Sequence, residues 1–132
     1  MALALLWTSI LASFVSLGLG LYGLFFPKRA LKLVGLALDP ERPEGISEVR
    51  ATYGGFFAGV SLMALLTLVL YDNPFIAVGL GAGWLMAGFA RVASVLFDKA
   101  TFKANIGGIV AEFLIAAFLI MPPLMVFRPI AA

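Results

Sequence analysis

The sequence predicts an all-α integral membrane protein, in which four transmembrane helices form an antiparallel up-and-down bundle with short loops. Of its 132 residues, 63% are hydrophobic and 12% are charged, against roughly 25% charged in an average soluble domain. The mean hydropathy is +1.10. Four spans of about 20 residues each leave room for loops and ends only. We therefore expect a single domain, residues 1–132, with spans near residues 3–26, 48–71, 75–97 and 105–127.

The first apolar stretch covers residues 2–26, which contain no charged residue. A cleaved signal peptide is the alternative, but its apolar stretch is shorter and follows basic residues. Because no Lys or Arg precedes this longer stretch, we expect it to be the first span. Residues 31–38 are a candidate interfacial helix, and residues 39–45 form a polar loop.

Three further apolar stretches follow this loop. Ser47 is a candidate N-cap of the second helix, and residues 51–71 are uncharged. A turn is expected at residues 72–74, since Asp, Asn and Pro favour turns. Residues 75–97 and 105–121 then predict the third and fourth spans, each of which contains a single charged residue.

Arg91 and Glu112 are those two charged residues. Arg91 lies near the end of the third span, and Glu112 lies at a similar distance from the start of the fourth. In antiparallel helices both side chains then lie about 9–10 Å from the same membrane face. An unpaired charge inside the bilayer is costly, so we predict an Arg91–Glu112 ion pair.

A wider polar cluster is predicted around this pair, because the start of the second span reaches the same membrane face. The small residues Gly79, Gly83 and Ala87 precede Arg91 at helical spacing, which suggests a face that packs inward. The predicted cluster consists of Glu48, Arg50, Tyr53, Arg91, Ser94, Asp98 and Glu112. Three roles are compatible with such a cluster. It could fix the register of the helices, bind a lipid head group, a quinone or a small amphiphile, or conduct protons or ions. The sequence leaves these alternatives open.

The basic residues are distributed unequally between the two sides of the membrane. Side A is defined as the side that holds both predicted termini, and side B as the side that holds loops 27–47 and 98–104. Side A has Arg128, whereas side B has Lys28, Arg29, Lys32, Arg42, Lys99 and Lys103. The positive-inside rule therefore predicts that side B is cytoplasmic and that both termini lie outside. Trp7, Tyr71 and Trp84 are candidate aromatic anchors at the interfaces.

The sequence contains neither cysteine nor histidine. Disulfides, thiol redox pairs and ordinary zinc, haem or iron–sulfur sites are therefore excluded. Nucleophilic catalysis by a Ser–His or Cys–His pair is excluded for the same reason. We expect no cofactor, no metal and no catalytic residues, and we expect that the protein is not an enzyme.

Two sequence segments carry a family resemblance. Residues 45–55 read G-I-S-E-V-R-A-T-Y-G-G, and residues 88–94 read G-F-A-R-V-A-S before Asp98 and Glu112. Together they resemble the signature of the DUF4345 family of small bacterial membrane proteins, which is distantly similar to the DoxX-like group. The resemblance implies a bacterial inner-membrane protein whose signature lies at the polar cluster, and it implies no particular activity. That family often has glycine at the position of Lys99.

Three functions are compatible with these observations. The leading expectation is a non-catalytic accessory or scaffold subunit that packs against a membrane-protein partner or a second copy of itself. The alternative is a binder or carrier of a lipophilic ligand, such as a lipid or quinone, and the third is a small-molecule or proton-coupled transporter. In each case we expect contact with membrane lipids and none with nucleic acid.

Overall fold

The structure is a computed structural model that describes residues 2–42 and 44–126, and these residues form helices without any strand. The helices are α1 (Ala2–Phe25), α2 (Pro27–Leu33), α3 (Gly45–Glu48), a π-helical segment (Val49–Phe56), α4 (Phe57–Tyr71), α5 (Phe75–Phe97) and α6 (Phe102–Val126). α3, the π-helical segment and α4 follow one another without a break and form one long helix. The stretches long and apolar enough to cross a membrane are Leu6–Phe25, Gly45–Tyr71, Phe75–Phe97 and Phe102–Met125. The predicted fold class is confirmed.

The four long helices form a closed bundle. α1 packs against α4 and α6, and α5 packs against the same two helices. An added Cβ on Gly20, late in α1, would meet the backbone of Ala58, early in α4. A Cβ on Gly81, early in α5, would likewise lie 2.8 Å from the Cβ of Leu119, late in α6. These pairings show that the first and second spans run antiparallel, and so do the third and fourth.

Small side chains are frequent in the interior of the bundle, and most of the large apolar side chains lie on its outside. Ser9, Ser13 and Ser16 of α1 are fully buried, whereas Trp7 and Leu11 on the same helix are more than half exposed. Helices in a bilayer pack through small residues, because large apolar groups are equally stable in lipid. The buried apolar core, formed by residues of the side A half, consists of Ala12, Ala64, Leu68, Ala77, Leu80 and Leu119.

The second span meets α1 through direct backbone contact. An added Cβ on Gly54 would lie 2.6 Å from the Cα of Leu24, and one on Gly23 would lie 2.7 Å from the carbonyl oxygen of Tyr53. Gly54 belongs to the π-helical segment, a rare conformation that is frequent at functional sites. The sequence predicts an ordinary helix here and misses this segment, which contains most of the motif resembling the family signature.

The second span also begins earlier than predicted. Ser47 donates a hydrogen bond from its hydroxyl to the carbonyl oxygen of Glu44 at 2.6 Å, and the helix begins at Gly45. The prediction that Ser47 is the N-cap is therefore wrong. A capping side chain accepts a bond from the backbone N–H groups that follow it, and this hydroxyl donates in the opposite direction.

The short helix α2 covers Pro27–Leu33 rather than the predicted residues 31–38. Proline at the first helical position has a φ angle already suited to a helix, which starts α2 early. Gly35 then adopts a φ of +72°, a left-handed conformation that glycine accommodates without steric cost and that ends helices. α2 therefore ends five residues before the apolar stretch does.

Two further turns depend on left-handed residues. Asp72 has a φ of 49° after α4, and Lys99 has a φ of 59° after α5. Lys99, at the position where the resemblance leads us to expect glycine, thus adopts a backbone conformation that glycine accommodates most easily. Asn73 accepts a hydrogen bond from the backbone N–H of Phe75 at 3.0 Å, which closes the first of these turns.

Candidate functional site

The structure brings Arg91 of α5 and Glu112 of α6 together. Nε of Arg91 donates a hydrogen bond to Oε1 of Glu112 at 2.6 Å. The Glu112 side chain is 7% exposed and that of Arg91 is 33% exposed. The carboxylate is thus inside the bundle, and the guanidinium lies between it and the surface.

Arg91 lies along one face of α6. Its Nη1 is 3.4 Å from Oδ1 of Asn105, and an added Cβ on Gly108 would be 3.0 Å from its Nε. Asn105, Gly108 and Glu112 are spaced by three and four residues, so they share a helix face. Gly108 leaves room for the guanidinium, and Asn105 is a site residue that sequence reasoning missed. Asn105 lies about two helical turns before Glu112, and this spacing is the signal in the sequence that places both residues on one face of α6.

The second carboxylate oxygen of Glu112 has no such partner. Oε2 is buried and makes no hydrogen bond to any group in the described part of the chain. A buried acceptor without a partner costs about 1–3 kcal/mol, and more when it carries charge. The ion pair therefore leaves one strong acceptor site of the carboxylate unused.

The wider predicted cluster does not form as a unit. Nη1 of Arg50 donates to the carbonyl oxygen of Leu24 at 2.7 Å, so this guanidinium caps the carboxyl end of α1. Glu48 and Asp98 are exposed, and Ser94 is half-buried. Because the π-helical segment packs closely against α1, Glu48 and Arg50 are carried away from the α5–α6 pair. Of the predicted residues outside that pair, Tyr53 alone reaches the same cavity.

The predicted inward face of α5 is also wrong in part. Gly79 and Gly83 are exposed, and an added Cβ on either would meet nothing within 4 Å. Gly81 and Gly88 are buried against α6 instead. One helical turn contains about 3.6 residues. Residues spaced by four therefore move gradually around the helix axis and do not stay on one face. Gly79 and Gly83 therefore lie off the face that holds Arg91.

A cavity of about 510 Å³ lies beside the ion pair. It is bounded by α1 and α2 on one side and by α5 and α6 on the other, and the π-helical segment contributes to its wall. Known ligand pockets have volumes of about 300–1,000 Å³ and mostly apolar walls. Lining residues include Leu19, Leu31, Tyr53, Trp84, Ala87 and Ile115, together with Arg91 and Glu112.

Trp84 forms the side of this cavity nearest the core. Its indole N–H donates to the hydroxyl of Ser16 at 2.9 Å, and its ring lies 5.4 Å from that of Phe57. Trp84 is therefore an interior residue and not the interface anchor that the sequence suggests. Leu19 and Tyr53 are about half exposed, so this part of the wall is open to the surroundings of the bundle.

The cavity contains no arrangement suited to a metal ion. Within residues 2–42 and 44–126, no three His, Cys, Asp or Glu side chains come together. Glu112 is the one carboxylate on the cavity wall, and it already pairs with Arg91. The polar chemistry of the cavity thus consists of hydrogen bonding at this pair and at Tyr53.

Four helices long and apolar enough to cross a membrane, with an ion pair beside a cavity of about 510 Å³, indicate a multi-pass membrane protein. The chain belongs to the family described as a domain of unknown function, DUF4345, whose model matches residues 4–122. That match covers nearly the whole bundle, including the π-helical segment, Arg91 and Glu112. No curated protein and no solved structure matches the chain.

Replacing either partner of the ion pair with alanine is expected to destabilise the protein by about 3–5 kcal/mol, because the other charge is then stranded. The double variant Arg91→Ala/Glu112→Ala should recover part of this loss, since it strands neither charge. Thermal unfolding of the four proteins in detergent measures the effect. The Arg42–Glu44 pair, which is 3.5 Å long and well exposed, is the matched control and should contribute below about 1 kcal/mol. A double variant no more stable than the worse single variant would contradict the pairing.

Proposed function

We propose that this protein binds a lipophilic molecule of the membrane, such as a lipid or quinone, in the cavity beside Arg91 and Glu112, without catalysing a reaction. The observation that carries the proposal is the 510 Å³ cavity with apolar walls and one buried ion pair. Apolar walls provide affinity for a lipophilic molecule, and a few placed polar groups fix its orientation.

Access to the cavity supports this proposal. Leu19 and Tyr53 line it while remaining about half exposed, and α2 contributes Leu31 and Leu33 to the wall. A molecule dissolved in the surrounding lipid thus reaches the cavity sideways, and its tail stays in the bilayer. The ion pair then meets the polar end of the molecule.

Catalysis and transport are less well supported than binding. The sequence contains no Cys or His, so it lacks the thiol nucleophile and the side chain that most often transfers protons in enzymes. Proton-coupled transport depends on a carboxylate that is free to change its protonation. Oε1 of Glu112 is instead held 2.6 Å from Nε of Arg91.

Filling the cavity is the direct test of binding. Ala87 lines the cavity, so Ala87→Leu should weaken binding of the co-purifying lipophilic molecule about tenfold, the usual scale of overpacking. Native mass spectrometry after gentle extraction measures the bound mass. Ala82→Leu is the control, because Ala82 is exposed on the same helix outside the cavity. Equal bound mass in both variants would reject the proposed cavity.

An accessory or scaffold role is the second candidate, favoured by the exposed glycines of α5. Gly79 and Gly83 lie one turn apart on the outer surface, and such spacing allows close approach of another membrane helix. In this role the same spectra would show a dimer or a co-purifying protein, lost on Gly83→Leu but not on Gly107→Leu, which is also exposed. A strictly monomeric wild type would rule it out.

The finer placement that we propose is the bacterial cytoplasmic membrane, with side B cytoplasmic and both termini outside. The basic residues of side B support this orientation. In α2, Lys28, Arg29 and Lys32 are exposed whereas Leu31 is buried. The helix therefore presents its positive charges at the side B surface, where anionic head groups attract them.

Single cysteines test this orientation directly, because the chain contains no cysteine of its own. Asn73→Cys lies in the side A turn and should react with a membrane-impermeant maleimide added to intact bacterial cells. Glu41→Cys lies in the side B loop and should react only after the cells are permeabilised. Both positions are exposed, so accessibility to the reagent is matched, and the opposite labelling pattern would reverse the orientation.

A further inference from the structure

We propose that a second site, separate from the cavity at Arg91, binds the phosphate group of an anionic phospholipid at the side B surface. The site is a depression of about 270 Å³ between the junction of α1 with α2 and the start of the second span. The depression and the cavity have no lining residue in common. This inference therefore goes beyond the proposed function and does not rest on it.

The first step concerns charge. Lys28 and Arg29 of α2 and Arg50 of the π-helical segment line the depression, and no described acidic residue does. Within residues 2–42 and 44–126, none of these three cations forms a salt bridge. Glu48, two residues before Arg50, does not line the depression. Positive charge thus converges on one surface depression without compensation, which attracts an anion.

The second step concerns how the two guanidinium groups are held. Nη1 of Arg50 donates to the carbonyl oxygen of Leu24 at 2.7 Å, and the guanidinium carbon of Arg29 lies 5.6 Å from the centre of the Phe26 ring. Both arginines remain exposed. A guanidinium carries five N–H donors, so most donors of Arg50 remain for a ligand. Guanidinium groups bind phosphate oxygens through paired hydrogen bonds, and groups already held in place lose less freedom on binding.

The third step concerns the choice between a phospholipid and a soluble phosphate. The depression lies where the span Leu6–Phe25 ends and the span Gly45–Tyr71 begins, which is the depth of lipid head groups. Phe25 and Phe26 line it and are 64% and 50% exposed. Exposed apolar rings beside cations suit the boundary between head groups and acyl chains. The volume of 270 Å³ is below that of pockets that enclose whole ligands, about 300–1,000 Å³, so the head group enters and the acyl chains stay in the bilayer.

The test compares two lipids with identical acyl chains, added to the purified full chain in detergent. Dioleoyl phosphatidylglycerol is anionic, whereas dioleoyl phosphatidylcholine has the same phosphate and carries a cation of its own. Native mass spectrometry measures the concentration at which half of the protein carries each lipid. Phosphatidylglycerol should half-saturate the wild type at a concentration about tenfold lower than phosphatidylcholine, because the three basic residues repel the choline cation.

Two double variants with the same loss of charge locate the site. Lys28→Gln/Arg29→Gln should weaken phosphatidylglycerol binding about 25-fold, since each basic residue near a membrane surface contributes about fivefold. Both side chains are exposed and form no salt bridge with a described residue, so the thermal unfolding temperature in detergent should stay unchanged. Lys99→Gln/Lys103→Gln removes two exposed charges from the other side B loop. It should change binding by less than about twofold, because salt screens distant surface charges.

Four outcomes would overturn the inference. Equal weakening by both double variants would show a diffuse attraction to side B, and equal binding of both lipids by the wild type would show that charge is not selected. Glycerol 1-phosphate bound at the same concentration as the lipid would make this a site for a soluble phosphate. Loss of phosphatidylglycerol binding on Ala87→Leu would place that lipid in the cavity at Arg91. If Ala87→Leu loses the co-purifying molecule but keeps phosphatidylglycerol, the two sites are separate, as we infer.

Discussion

The Arg91–Glu112 ion pair is the interaction on which the rest of the site depends. In a bilayer each of these charges alone would be strongly unfavourable, and the contact of 2.6 Å makes both tolerable. The pair also accounts for the glycine at position 108, because the guanidinium lies over Gly108 where it reaches Glu112, and a side chain there would crowd it. Asn105 then holds Nη1. One buried interaction thus explains four residues and the joint position of α5 and α6 at the cavity.

The two halves of the bundle have different physical properties. In the side A half, small residues close the interior around Leu119, which is fully buried. In the side B half, the backbone of α1 lies directly against the backbone of the second span at Gly23 and Gly54. The helices α5 and α6 take no part in that contact. The cavity lies between this close contact and the α5–α6 pair. The packed half holds the helices together, whereas the other half contains the cavity.

The sequence predicts the spans well, because the length of an apolar stretch decides whether it crosses a membrane. It also predicts that Arg91 and Glu112 meet, since matched depth and opposite charge are visible in the residue order. It does not predict the π-helical segment, because that conformation accompanies backbone contact at Gly54, a tertiary event. The wider polar cluster was not predictable either, because it too depends on tertiary contact. Arg50 donates its hydrogen bond to the carbonyl oxygen of Leu24 in α1 and does not join the Arg91–Glu112 pair.

Arg50 and Arg91 have different partners, and this explains how charged residues of the motifs occur beside a cavity with apolar walls. Arg50 and Arg91 both occur in segments that resemble the family signature, yet they have different tasks. Arg50 satisfies a carbonyl oxygen at the carboxyl end of α1, where orphan acceptors and the helix dipole favour a cation. It thereby secures the π-helical segment against α1, and that segment places Tyr53 on the cavity wall. Arg91 neutralises Glu112 and leaves one carboxylate oxygen unsatisfied. Arg50 thus affects the shape of the cavity, and Arg91 affects the polarity of its wall. Substituting Arg50 would change the position of Tyr53, whereas substituting Arg91 would leave the charge of Glu112 unpaired.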